Sequence, residues 1–375
     1  MFSKALSGAS AIGLSLVALA TAANAAPSYI VTDLGTAVGS SEAYAINNKG
    51  QVIGYDWDGS VVSAFIWDNG VKTNLGSLGG TETYANAIND NGQVIGSSKT
   101  ADNVTRTFLW ENGVMTDIGT FNTSVFGGAG INDSGQMVGS SNFGSASHAV
   151  LLDGGVMTDL GAFGGPYFSG ANDINDIGQI VGQSDTANGS GRHAFVWENG
   201  VMTDIGTLGG TIGIASAINE NGQVAGTSFL SNNGFSQRGF FWENGVMTEI
   251  GVLAGFNNRS SANDINASGQ VVGYSYAGNF GSGGIHAILW ESGVLTDLND
   301  LIDPASGWSL GFAKGINDAG QIVGTGSYNG NGHAFLLTPV QEDAVPEPGT
   351  WALMIGGFGL IGGLSRWTRR RIVFA

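Results

Sequence analysis

One pattern, Ile-Asn-x-x-Gly-Gln, recurs seven times along the chain, starting at Ile46, Ile88, Ile131, Ile174, Ile218, Ile265 and Ile316. The intervals are 42, 43, 43, 44, 47 and 51 residues. A period of this size marks a repeat architecture, in which each unit is one small supersecondary element that buries its apolar face against its neighbours.

Each unit reads as four short strands. In the second copy the first strand ends at Ala85 to Asn89, Asp90-Asn91-Gly92 makes a tight turn, and Gln93 to Gly96 is the second strand. Arg106 to Trp110 is the third, and Glu111-Asn112-Gly113 turns it into the fourth, Val114 to Ile118. Asn-Gly at a turn is hairpin chemistry. Alternation of Val114, Thr116 and Ile118 with Met115 and Asp117 predicts one buried face on the fourth strand. Four strands per period is the plan of a propeller blade. The seventh unit has a third strand, His333 to Leu337, and then runs into Pro339 with no fourth. A matching fourth strand stands at the front, where Tyr29 to Gly35 repeats the pattern of Val156 to Gly161. The expected fold is therefore all-β: a single seven-bladed β-propeller of four-stranded blades, its last blade completed by the N-terminal strand. Such closure removes the two open edges.

Composition agrees. Glycine is 64 of 375 residues and proline 6, with 42% hydrophobic and 11% charged residues. Collagen and disorder are excluded. With no cysteine, disulfides, thiolate metal sites and cysteine nucleophiles are excluded too. Outside the leader and the tail that starts at Thr350 there are eight basic residues against all 30 acidic ones. Such a body repels nucleic acid and anionic membrane surfaces.

The ends read as addresses. Residues 1–25 carry Lys4, an apolar core from Ala11 to Ala20 and the small-residue ending Ala23-Asn24-Ala25, the layout of a secretory signal peptide cut by signal peptidase after Ala25. The body spans 26–338, a linker with a short motif spans 339–349, and a hydrophobic tail with a basic terminus spans 350–375. The tail reads as a transmembrane helix slightly shorter than the ~20 residues a span prefers, hence a marginal anchor. Its arginines are expected to stay cytoplasmic.

Pro346-Glu347-Pro348, then Trp351-Ala352, an apolar run and Arg369-Arg370-Arg371, with Arg366 before them, resemble the PEP-CTERM sorting tail. The resemblance implies processing by an exosortase-type enzyme of a Gram-negative bacterium, transient inner-membrane anchoring, and a biofilm or exopolysaccharide setting. Along the body, His148-Ala149-Val150, His193-Ala194-Phe195, His286-Ala287-Ile288 and His333-Ala334-Phe335, with the surrounding Trp-Glu-Asn-Gly and Thr-Asp-Leu-Gly segments, resemble the HAF family of extracellular repeats. Ser63, Arg106 and Arg238 depart from it at the histidine position. That resemblance implies no activity.

The four histidines share one repeat position and do not converge, so the expected role is a hydrogen bond to the neighbouring blade rather than metal ligation. Turns such as Asn89-Asp90 lack the alternating carboxylates of calcium loops. Trp67, Trp110, Trp197, Trp242 and Trp290 end third strands, with Leu152 and Leu337 in their place elsewhere, which points to blade-to-blade packing. No nucleophile elbow, phosphate loop or metal cluster is present, and no cofactor is implied. The turns within the repeat are short and nearly invariant. The second-to-third-strand and inter-blade connections vary, and both sets emerge on one face. Any ligand is expected there, at Phe229, Phe235, Phe256, Asn257, Asn258, Arg259 and Trp308. The expected function is an exported, non-catalytic surface or matrix protein binding an extracellular glycan or protein. The alternative is a secreted carbohydrate-active hydrolase or lyase.

Overall fold

The computed structural model describes residues 28–35, 39–119, 130–164, 168–230, 236–256, 259–276 and 284–340. Among them the chain is almost entirely strand, with one 3-10 turn at Leu298–Leu301. No helix among the described residues is long and apolar enough to cross a membrane. The expected signal peptide, the Ala25 cleavage site, the transmembrane segment and the sorting motif lie outside them.

Residues 213–251 show the common plan. Strands Gly213–Ile218, Val224–Phe229, Gln237–Glu243 and Val246–Gly251 lie side by side in chain order, each antiparallel to the next. Asn244 and Gly245 both take positive φ, +51° and +83°, the turn geometry whose twist matches paired strands. The first strand bulges between Ala215 and Ala217. The bulge drives the Ile214 carbonyl toward the second strand, where a Cβ on Gly226 would stand 2.2 Å from it and 2.6 Å from the Phe240 ring. Only glycine fits, and in the space it leaves Phe240 is fully buried. Burial of such a side chain contributes about 1.5–3 kcal/mol.

Strand pairing gives five four-stranded sheets and one of eight, among the described residues. In the larger sheet two four-stranded groups, 40–74 and 79–119, are joined by a single parallel bridge from Val62 to Glu82. One four-stranded sheet draws on both ends of the body. Tyr29–Asp33 pairs antiparallel with Asn331–Pro339, Tyr29 lying opposite Pro339 and Asp33 opposite Phe335. The N-terminal strand thus forms the outer edge of the last group, where the offset in the repeat predicts it.

The first strands surround a common axis, and a ring of asparagines closes at their ends. Asn47 Nδ2 donates to the Asn89 carbonyl at 2.9 Å, Asn89 to Asn132 at 2.9 Å, Asn132 to Asn175 at 3.1 Å and Asn175 to Asn219 at 3.1 Å. Asn219 then donates to Asn266 at 2.9 Å, Asn266 to Asn317 at 3.1 Å, and Asn317 back to Asn47 at 3.0 Å. Each asparagine also anchors its own turn. Asn219 Oδ1 accepts from the Asn221 and Gln223 amides, and its Nδ2 donates to Gln223 Oε1 at 2.7 Å. Gln223 Nε2 donates in turn to Glu243 Oε1 at 2.7 Å. The Asn-x-x-Gly-Gln and Trp-Glu segments are one radial hydrogen-bonded spine, running from the axis to the third strand.

The core lies between sheets. Phe240 packs with Val224 of its own sheet and with Val181 and Ala194 of the preceding one, and Trp242 sits against the same cluster. Trp67 packs on Val323, Ala334 and Leu336 of the last sheet, across the closure. The repeated tryptophans therefore join sheet to sheet.

Two expectations need correction. Val114 is 62% exposed and Thr116 is exposed, so the fourth strand has no buried face on that side. It is an outer edge strand, and the apolar alternation reflects β-propensity as much as burial. The histidines, in turn, bond within their own sheet and not to a neighbour. His148 Nδ1 meets Asp159 at 2.9 Å, His193 meets Asp204 at 2.8 Å, and His333 meets Asp33 of the N-terminal strand at 3.0 Å. In two sheets Arg106–Asp117 and Arg238–Glu249 take the same places.

Candidate ligand-binding face

The irregular connections gather at the end of the axis opposite the asparagine ring. Isolated parallel bridges tie the start of a third strand to the chain entering the next sheet: Ser147 to Phe168, Arg192 to Ile212 and Gln237 to Arg259. These bridges set the candidate residues on rigid backbone even where the connections are irregular.

Phe229 ends its strand directly opposite Gln237, and its amide donates to the Ile212 carbonyl at 2.9 Å. Gln237 is buried, and its Oε1 accepts from Arg259 Nη2 at 3.1 Å. The Arg259 guanidinium stands 5.5 Å from the centroid of the Tyr276 ring, and the Tyr276 amide donates to the Arg259 carbonyl at 3.0 Å. Phe256 meets the His286 ring edge-on at 4.8 Å, and that histidine is bonded to Asp297. Phe229, Arg259 and Phe256 thus belong to adjoining connections. Trp308 belongs to the next sheet. It stacks on Tyr328 at 5.0 Å and 21°, and meets His333 and Phe335 edge-on, so much of its ring is held by its own sheet. Phe235, Asn257 and Asn258 lie outside the described residues.

A second aromatic and charged group bridges the closure from the last sheet to the eight-stranded sheet, with Lys314 and Tyr44 lining the axis. Lys314 Nζ lies 2.8 Å from Glu42 Oε2 and 3.8 Å from the Tyr44 ring centroid. Tyr44, Tyr55 and Tyr84 follow at centroid spacings of 5.8 and 5.2 Å. Burial, with the Glu42 carboxylate close by, holds the Tyr55 hydroxyl well above the usual phenol range. Sequence reasoning missed this group. A signal for it exists: Tyr55 and Tyr274 stand where other repeats have Ser97, Ser140, Gln183, Thr227 or Thr325 after the strand glycine.

The axis holds a channel with a cavity of about 300 Å³, lined near one end by Asn47, Asp90, Asp133 and their equivalents and deeper by the bulge residues Tyr44, Asn172 and Lys314. Asp90 Oδ1 accepts from the Asn48 amide at 2.7 Å and Asp133 Oδ1 from the Asp90 amide at 2.8 Å, so the turn carboxylates are bound to neighbouring turns. Beside these bulge residues, Asp173 accepts from the amides of Ile174 and Ile218, and Asp264 from those of Ile265 and Ile316. Desolvation outweighs those bonds and pushes Asp173 up to about 7 and Asp264 up to about 6. Among the described residues no group of three His, Asp or Glu converges to hold a metal ion.

Residues 344–371 match the PEP-CTERM protein-sorting motif. The match indicates an exported protein, sorted by exosortase to the cell envelope or surface. No curated protein matches the chain. Among solved structures the chain is similar to the β-propeller domain of the Trilobed protease from Pyrococcus furiosus, a propeller of open velcro topology, at TM-score 0.51 and 12% identity, covering 71% of this chain and 86% of that one. It is similar to streptogramin B lyase at TM-score 0.50 and 11% identity, covering 83% and 98%. TolB from Acinetobacter baumannii matches at TM-score 0.46 and 11% identity over 81% of this chain, which spans only 64% of that protein's length. At such identities the first two likenesses define a fold class and no more. The body is an all-β, propeller-like array of four-stranded sheets.

Proposed function

We propose that the body is a seven-bladed propeller of HAF-type repeats, exported by a Gram-negative bacterium, that binds an extracellular glycan or protein through its variable-loop face and catalyses no reaction. Counting the eight-stranded sheet as two blades, each asparagine of the axial ring belongs to one blade. The leader is removed after Ala25. The tail anchors the protein briefly in the inner membrane until exosortase acts, leaving a surface or biofilm-matrix protein.

The observation that carries the binding site is the division of labour between residues. Those that repeat are engaged in the spine and the sheet-to-sheet core. The departures from the repeat, including Phe229, Phe256, Arg259 and the Tyr44–Tyr55–Tyr84 group, lie toward the other face. Aromatic rings with a few polar groups suit the apolar and hydroxylated faces of a sugar.

A glycan array and a hydrolase screen on the secreted protein test the reading together. Binding without turnover is expected, and Phe256→Ala is expected to weaken it by ~1–3 kcal/mol. Turnover of any glycan favours the enzyme reading instead, and binding unchanged in Phe256→Ala and Trp308→Ala moves the site off this face. Mass measurement of the secreted protein is expected to place its start after Ala25 and its end before Arg369.

A further inference from the structure

A further groove lies outside the axis, on the outer rim of the short-turn face. It occupies about 510 Å³ between the sheet of residues 169–206 and that of 213–251. One wall carries Glu198, Val201 and Thr203, and the other carries Trp242, Glu243 and Asn244. We propose that this groove is a saccharide subsite for a neutral hexopyranose, repeated around the ring, and distinct from the variable-loop face.

The chemistry of the two walls leads there. Trp242 packs one side into the inter-sheet core and contributes the rest to the groove. Val201 is 62% exposed, an apolar group on an open edge strand. A pyranose offers an apolar face of C–H groups and a rim of hydroxyls, and an indole opposite a valine accommodates the first. The second needs fixed acceptors. Glu243 Oε1 is tied to Gln223 Nε2 at 2.7 Å and Glu198 Oε1 to Gln179 Nε2 at 3.3 Å. Each carboxylate is thereby oriented by the spine while its second oxygen remains open to a sugar hydroxyl, a charge-assisted bond. No lysine, arginine or histidine lines the groove. Two carboxylates without a cation repel uronic acids and sialic acids and select an uncharged sugar.

The repeat puts the same residue types at another junction. Val71, 64% exposed, and Thr73 take the places of Val201 and Thr203, the following unit supplies Trp110, Glu111 and Asn112, and Gln51 Nε2 holds Asp68 at 3.1 Å. Two junctions present Leu152 and Leu337 in place of the tryptophan and lack the platform. The other five carry Trp67, Trp110, Trp197, Trp242 or Trp290. Weak single sites in such a ring add up to avidity for a polymer that reaches several of them.

Titration of the secreted protein with maltohexaose, cellohexaose and mannohexaose, followed by calorimetry and indole fluorescence, tests the proposal. Hexagalacturonate serves as the anionic comparator. At least one neutral probe is expected to bind at more than one site per chain, and the uronate at none. Val201→Lys fills the groove from an exposed position, and Trp242→Leu installs the residue that two other repeats already use, so both should fold. Each is expected to remove one site, and the pair Val71→Lys with Val201→Lys to weaken binding of the parent polysaccharide by about tenfold or more. No binding of any neutral probe at about 10 mM, a per-site affinity too weak for avidity to rescue, overturns the proposal. So does full stoichiometry in both single variants, or binding that disappears only in Phe256→Ala, which would return the site to the variable face.

Discussion

The two ends of the axis are built by opposite rules. At the short-turn end the repeats spend the same side chains in the same way: asparagine to the next asparagine and glutamine to its own turn in all seven, and glutamine to the third-strand carboxylate in all but the last, which has Thr338 there. At the other end the equivalent positions hold Tyr55, Ser97, Gln183 or Tyr274, and the connections differ in length from unit to unit. Repetition in this chain therefore marks what the frame needs, and departure from repetition marks what the frame leaves free. The rim grooves are an exception of a particular kind, since there the repeated residues have a structural side and an open side at once.

The largest effect on this comparison is expected from breaking the closure, on which both faces depend. Deleting Tyr29–Asp33 would strip the last sheet of its outer strand, expose the edge of Asn331–Pro339 and remove the partner of His333. An open edge of this kind invites pairing between chains. The expected result is loss of the single cooperative unfolding transition and concentration-dependent association, read by calorimetry and light scattering. A monomer that melts as one unit would show that the ring is held from the axis alone.

Next in size is the axial ring itself. Asn219 is buried and makes four hydrogen bonds, so Asn219→Ala leaves amides and a carbonyl without partners. A cost of about 2–4 kcal/mol is expected in urea unfolding. Phe256→Ala, at the variable end, is expected to cost no more than about 1 kcal/mol, because its ring is only partly buried. Equal costs would erase the distinction between the ends.

A third effect is a slope rather than a step. Asp173 and Asp264 are held up to about 7 and about 6, against about 3.9 for an unfolded aspartate. Between those limits the native chain retains protons that the unfolded chain has released. Their contribution is thus fullest below about pH 4 and is lost as pH rises through 6 and 7. The net charge of −17 tilts stability the same way, so the readout is the difference between proteins. Asp173→Ala, which installs the residue found at Ala45, Ala87 and Ala217, is expected to flatten the fall in unfolding free energy between pH 5 and 8. An unchanged slope would place the proton elsewhere.

How much of this was legible in sequence follows from what repetition can encode. Seven anchors at a near-constant period, and a fourth strand displaced to the front, carried the strand plan and the closing pair Tyr29–Asp33 with Asn331–Pro339. Pattern could not say which partner a side chain chooses. The repeat position alone points the histidine toward a neighbouring blade, whereas the strand pairing sets it beside the aspartate of its own fourth strand, eleven residues on in His148 and Asp159. Alternation looks alike on an edge strand and a central one, so it suggests a buried Val114 where the edge strand leaves that residue exposed. Of the ligand-face candidates, Phe229 and Arg259 share one backbone neighbour, Gln237, while Trp308 proves committed to Tyr328. Contacts between strands that are distant in sequence decide such matters.

The smallest expected effect tests the frame at its most local. Asn112 heads the turn between third and fourth strands at φ +51°, and Asn69, Asn199 and Asn244 do the same in other repeats. The third repeat has Gly154 there, at φ +54°. The left-handed region costs an ordinary L-residue roughly 1–2 kcal/mol, less for asparagine, and glycine almost nothing. Asn112→Gly should therefore leave stability within about 0.5 kcal/mol, the greater freedom of the unfolded chain offsetting the relief of strain. Asn112→Ala should lose roughly 1 kcal/mol in the same urea titration, because alanine meets the strain without the asparagine's local polar contacts. If alanine and glycine behave alike, the turn is not what fixes the register of the edge strand. The pairing of Glu111 with Val114 would then be held from the sheet rather than from the turn.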